Sequence, residues 1–190
     1  MPSLRDASRA VLIGLLVAAI APTVATARTL KVGPDEKFQV PSAAAKAAKD
    51  GDVIEIAEGT YDGGIAVWRQ NGLTIRGVGD VEIRAAGKNA RGMGIWVIEG
   101  NDTTVENITL SGARVPHKNG AGIRQVGSNL TIKRCRFVDN ENGILAGRSK
   151  KNKGESEIVV EDSVFERNGH SNGKAHAIYV ANLTRLTVRG

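Results

Sequence analysis

The chain has 190 residues, 41% of them hydrophobic, and a formal net charge of +6 at pH 7. That length suits one domain with a core of ordinary size. The single cysteine, Cys135, excludes an intramolecular disulfide framework, so stability must come from packing. The charge is uneven. Residues 112–190 carry 14 Lys plus Arg against 7 Asp plus Glu, whereas residues 28–111 carry 10 against 12, so the basic second half favours an acidic partner through long-range attraction.

In chain order, the first segment has Arg5 and Arg9, an apolar run from Ala10 to Ile20, and then Ala25-Thr26-Ala27. The apolar run is too short to span a bilayer, and an A-x-A site follows it. Residues 1–27 are therefore expected to be a signal peptide cleaved after Ala27, which leaves no stable membrane anchor and implies a secreted or periplasmic protein. Thr29–Val32 reads as a strand, Pro41–Lys49 as a short helix, and Gly51–Ile56 as a return to strand. Residues 28–56 are expected to form an N-terminal cap and residues 57–190 the coils of one domain. An open solenoid end would expose core and strand edges, and the helix supplies the cover.

A repeat then dominates. Val105, Ile132, Val160 and Val188 are spaced by 27, 28 and 28 residues, and Ile75 lies 30 residues before Val105. Leu110, Phe137 and Phe165 form a second column. Between them recurs a third element, Gly or Ala followed by Ile, at Gly94, Gly122, Gly143 and Ala177. Alternating apolar residues bounded by Gly and Asn indicate short half-buried strands, at least two per repeat. The NG pairs at Asn71, Asn119, Asn142 and Asn172 supply turns. One such coil cannot bury its own apolar face, so the coils must stack, with equivalent residues above one another. Asn140 and Asn168 would then share one bend, and Cys135, aligned with Ile108 and Ser163, would be a small core residue rather than a nucleophile. The sequons at Asn101, Asn107, Asn129 and Asn182 read as turn Asn followed by strand Thr. The polar stretch Arg148–Ser156 interrupts the repeat as a loop. The last repeat stops at Gly190 without a visible cap, so the chain is expected to be truncated at its C-terminus.

The segments DGDVIEIAEGTYDGG and NGLTIRGVGD, with the repeated strand units after them, resemble the right-handed parallel β-helix proteins of the pectate-lyase-like superfamily over Ala27 to Gly190. The resemblance implies an all-β fold, a right-handed β-solenoid with a short capping helix. It also implies binding of polysaccharide along the outside of the solenoid. The superfamily includes polysaccharide lyases, C5-epimerases, glycoside hydrolases, assembly helpers and phage tailspikes, so the fold does not fix the activity. The N-T-D, Asp-pair and G-H-G segments of the hydrolases and the D-P-H-D segment of the epimerases do not stand out here.

Stacking makes an outward row computable. With Ile95, Ile123, Ile144 and Ile178 inward, Trp96, Arg124, Leu145 and Tyr179 would face solvent from successive coils. Trp96 and Tyr179 suit sugar rings, and Arg124 suits a carboxylate, although the same residues would also serve to pack beneath a loop. His117 and Lys118 complete the substrate-binding candidates. Proton removal beside a uronate carboxylate needs a cation and a base, and Arg124, His170, Lys174 and His176 are the catalytic candidates. His176 is equally readable as a hydrogen-bonded residue at the core margin. No metal cluster or other cofactor is evident. Calcium would need converging oxygens, and Asp139, Glu141 and Asp162 lack such a spacing. The expected partner is an acidic polysaccharide and not nucleic acid, bound with or without lyase or epimerase turnover, by a protein monomeric if complete. The alternative is a non-catalytic envelope or assembly protein that uses the solenoid surface to bind protein.

Overall fold

The structure is a computed structural model and describes residues 27–147, 156–169, 176–181 and 183–190. One helix and fifteen strands follow in order: β1 (Thr29–Val32), α1 (Pro41–Ala47), β2 (Val53–Asp62), β3 (Ala66–Trp68), β4 (Thr74–Arg84), β5 (Gly94–Ile98), β6 (Thr103–Glu106), β7 (Thr109–Ser111), β8 (Ala121–Gln125), β9 (Leu130–Lys133), β10 (Arg136–Val138), β11 (Asn142–Ala146), β12 (Glu157–Glu161), β13 (Val164–Glu166), β14 (Ile178–Val180) and β15 (Arg185–Arg189). Every strand pairing is parallel, and strands pair with their equivalents one coil away. Three faces result. The first runs β1-β2-β4-β6-β9-β12-β15, the second β2-β4-β7-β10-β13, and the third β3-β5-β8-β11-β14. The long strands β2 and β4 serve both the first and second faces, and their register shifts between Ala57 and Gly59. Each full coil thus contributes three strand segments, one more than the minimum that the repeat required.

The interior follows the spacing of the sequence. Ile54, Ile75, Val105, Ile132, Val160 and Val188 are successive register partners. So are Tyr61, Ile83, Leu110, Phe137 and Phe165. The rings of Phe137 and Phe165 stack with centroids 4.8 Å apart and 7° between their planes. Each fully buried aliphatic side chain in these columns contributes about 1.5–3 kcal/mol, so the stacks supply most of the driving force. Cys135 lies in this core, where burial pushes its thiol pKa up to about 12 and keeps it protonated and unreactive.

The corners are built from single left-handed residues that recur in columns. Asn107, Arg134 and Asp162 turn the chain from the first face to the second at φ of 52°, 49° and 47°. Asp139 and Arg167 leave the second face at 55° and 49°, and Asp102 and Asn129 precede the first at 56° and 54°. Side chains at the corners stitch coils together. The Asn140 amide donates to Leu110 O and to Asn168 Oδ1, while its own Oδ1 accepts the Ala113 N–H. Asn168 repeats the pattern by donating to Phe137 O, as expected of two Asn at one bend. At another corner Asn71, Asn101 and Ser128 each donate a backbone N–H to the side chain one coil earlier, at Asp50, Asn71 and Asn101. Two sequon Asn amides are similarly engaged: Asn107 donates to Gly77 O and Gly79 O, and Asn129 to Asp102 Oδ1. Asn182 lies outside the described residues.

The cap forms as the composition suggests, with one difference. Helix α1 begins at Pro41, whose missing N–H costs nothing in the first turn. It ends at Ala47 rather than Lys49, because Ala48 is already extended at φ −62° and ψ 151°. Ala44 and Ala45 are buried. Arg28 clamps the adjoining strand by donating to both oxygens of Asp52, at 3.1 and 2.5 Å, and the Lys49 N–H donates to the same carboxylate.

Outside the first face runs a column of Lys31, Glu55, Arg76, Glu106, Lys133, Glu161 and Arg189. Its charges alternate from coil to coil. Arg76 meets Glu55 at 2.5 Å, and Glu161 is bridged from both sides, by Lys133 at 3.7 Å and by Arg189. Exposed pairs add little stability individually, but a shift of one coil would place like charges together, so the column reinforces register.

Candidate functional site

The third face carries the proposed row, and its register differs from the expected one at the first coil. Trp96 pairs with Ile123, and Val97 pairs with Arg124. Trp96 therefore belongs to the interior, and its assignment as an exposed sugar platform is corrected. It is fully buried, donates its indole N–H to Gly64 O at 3.0 Å, and packs edge-on against Trp68 with centroids 5.5 Å apart. The outward row is Val67, Val97, Arg124, Leu145 and Tyr179.

The reason for the slip is physical. All five residues of β5 are buried, so no alternation distinguishes its faces. The signal that places it lies upstream: Ile83 and Leu110 are partners, and Gly94 and Ala121 each follow them by eleven residues and are partners too. Aligning Gly94 with Gly122, as the local pattern invites, is wrong by one residue, and on a strand one residue exchanges the two faces.

Arg124 is half-buried between Val97, which is inaccessible, and Leu145, which is nearly so. Its Nε is buried and has no hydrogen-bond partner, and the side chain makes no ion pair among the described residues. Burial lowers the guanidinium pKa from its ordinary value, although it remains a cation at any physiological pH. A Cβ placed on Gly147 would lie 3.6 Å from its Nη2, so the guanidinium extends toward the exit of β11. A desolvated cation without an anion is costly, and an anionic ligand would relieve that cost.

Two strands from Arg124, about 10 Å at the usual parallel spacing, lies Tyr179. It is 45% exposed and stacks on His176 with ring centroids 5.6 Å apart and 25° between planes. His176 sits at the start of this strand, exposed, with its backbone N–H donating to Asn142 Oδ1. The arrangement brings Tyr179 and His176 together on the face that holds Arg124. His170 and Lys174 lie outside the described residues, as does most of the polar stretch from Arg148 to Ser156.

His117 and Lys118 are exposed in the turn that enters β8. That turn is anchored by Glu141, which the sequence offers only as an unsupported calcium ligand. Glu141 is almost fully buried, and its Oε2 accepts the N–H groups of Val115, at 3.1 Å, and Gly120, at 2.6 Å. Its role here is positional. Among the described residues, no group of three or more His, Cys, Asp or Glu is placed to hold a metal ion, and no helix is long and apolar enough to cross a membrane.

Comparison with known proteins gives the following. The family model described as the right handed beta helix region matches residues 57–190. No curated protein matches the chain. A solved structure of a pectin methylesterase mutant in complex with a hexasaccharide is similar at 15% identity, covering 87% of this chain and 67% of that one, with a TM-score of 0.44.

Proposed function

We propose that this chain, which belongs to the right-handed β-helix family, is an exported protein that binds an acidic polysaccharide on its third face, with Arg124 receiving a carboxylate and Tyr179 stacking on a sugar ring. The observation that carries the reading is the state of Arg124: a half-buried guanidinium, flanked by Val97 and Leu145, whose Nε has no partner among the described residues. A uronate carboxylate supplies both the charge and the two acceptor oxygens that a guanidinium fork fits. The exposed aromatic pair of Tyr179 and His176 adds a sugar platform on the same row. The basic second half of the chain favours approach of an anionic polymer. Proton abstraction from the bound uronate would need a base beside this carboxylate, and His176 is the described candidate.

Affinity electrophoresis through gels containing polygalacturonate or alginate tests the reading. The unaltered protein is expected to be retarded, and Arg124→Ala to bind about tenfold more weakly or worse, the usual consequence of losing a charge-assisted contact. Lys133→Ala removes the same charge from the first face and is expected to retain binding, which separates a site from general attraction. If Arg124→Ala migrates like the parent, the reading fails. Appearance of ultraviolet absorbance from a new double bond conjugated to the uronate carboxylate would add lyase turnover to binding.

A further inference from the structure

A recess of about 360 Å³ opens where α1 lies against β3, the first strand of the third face. Three segments build it. Ser42, Ala45 and Lys46 come from one side of the helix, Ile65 to Val67 and Arg69 from the strand, and Asn89 to Arg91 from the turn before β5. Ala45 and Ala90 carry only methyl groups, so helix and turn leave a gap that larger side chains would close. Ile65 and Val67, two residues apart on the chain, are half-buried and give the gap an apolar floor. Its volume falls within the range of small-molecule pockets, roughly 300–1,000 Å³.

The charges around this floor are unbalanced. Arg69 meets Glu99 at 3.3 Å, and Arg91 pairs with the other oxygen of the same carboxylate. One acid therefore serves two guanidinium groups. Lys46, exposed at the edge of the recess, makes no ion pair among the described residues. Three cations against one carboxylate leave a surplus of positive charge over an apolar floor, a surface that matches an anion with a hydrocarbon body and neither a sugar nor a simple salt.

We propose that this recess binds a small amphipathic carboxylate, an acid whose hydrocarbon part lies on Ile65 and Val67 and whose head group is held by Lys46 with the Arg69 and Arg91 pair. The apolar part supplies most of the affinity by leaving water, and the cations select the acid over its neutral analogue. The site is separate from the one built on Arg124, because the inaccessible Val97 stands between Val67 and Arg124 on the outward row.

Isothermal titration of the full chain with octanoate, octan-1-ol and acetate tests the proposal. Octanoate is expected to bind saturably at one site, with octan-1-ol and acetate each about tenfold weaker or worse, since each lacks one half of the recognised chemistry. The double variant Lys46→Glu, Arg91→Glu alters two exposed side chains and is expected to lose octanoate while gaining octylammonium. Arg124→Ala is expected to bind octanoate unchanged, whatever its effect on polysaccharide. Absence of saturable octanoate binding overturns the proposal, as does equal binding of octan-1-ol by the unaltered protein. Octanoate binding that is lost with Arg124→Ala would move the anion to the other site and overturn it too.

Discussion

Arg134 illustrates how a single residue is held by its place in the coil rather than by its own preference. Its φ of 49° lies in the left-handed region, which disfavours an ordinary L side chain by about 1–2 kcal/mol. The equivalent residue one coil earlier is Asn107, a type that tolerates this conformation, so the corner selects a backbone shape and Arg134 bears the strain. Its ion pair with Glu106, at 3.7 Å and exposed, offsets little. Arg134→Asn is therefore expected to stabilise the protein by about 0.5–1 kcal/mol in denaturant titration; a loss of stability would show that the Arg134 side chain contributes more than the corner costs. Such corners were only partly legible in the sequence. Of the NG pairs expected to supply turns, Asn71-Gly72 does so with Gly72 at φ 65°, whereas Asn142-Gly143 lies within β11, and an Arg or Asp in the left-handed region carries no local signature.

At the scale of the element, the corner ladders and the cap clamp make distinct forecasts. Asn140 is wholly buried and serves two coils through three hydrogen bonds. Asn140→Ala leaves Leu110 O and the Ala113 N–H without that partner, and unfolding by denaturant is expected to show a loss of about 2–4 kcal/mol; a change below about 0.5 kcal/mol would mean that the ladder is incidental. At the cap, burial opposes ionisation of Asp52, but hydrogen bonds from Arg28 and the Lys49 N–H outweigh it and hold the carboxyl below the usual aspartate range. A depressed folded pKa contributes stability that is full above the unfolded value of about 4 and is lost as pH falls through the lower folded value. Asp52→Asn is thus expected to flatten the acid limb of the stability profile below about pH 4, measured by thermal melts across pH; an unchanged limb would remove Asp52 from the account. The columns from Ile75 to Val188 and from Leu110 to Phe165 were readable because their alternation is intact and their spacing nearly constant. The third face was harder: β5 is buried throughout, and its register is fixed by strands far upstream.

For the molecule as a whole, registry decides which side chains form the core and which form the surface, and the face proposed for binding inherits that decision. The shared outward row of Arg124 and Tyr179 is legible in the sequence because Ile123, Ile144 and Ile178 are true partners. Trp96 was misplaced by a one-residue offset, and Glu141, whose carboxylate anchors the turn bearing His117 and Lys118, gave no sign of its burial. The alternating charge column was hidden for another reason, since its members are a coil apart in sequence and acquire meaning only when the coils are stacked. The same stacking accounts for the fold and for the face that carries Arg124 and Tyr179.

The two tryptophans of the chain, Trp68 and Trp96, are both fully buried in this register. Iodide quenching of native tryptophan fluorescence measures that placement without altering a residue. The account predicts a blue-shifted emission that iodide leaves nearly unchanged until the protein is unfolded. An emission component readily quenched in the native state would put a tryptophan on the outer row, and with it the face assigned to Arg124 would be wrong.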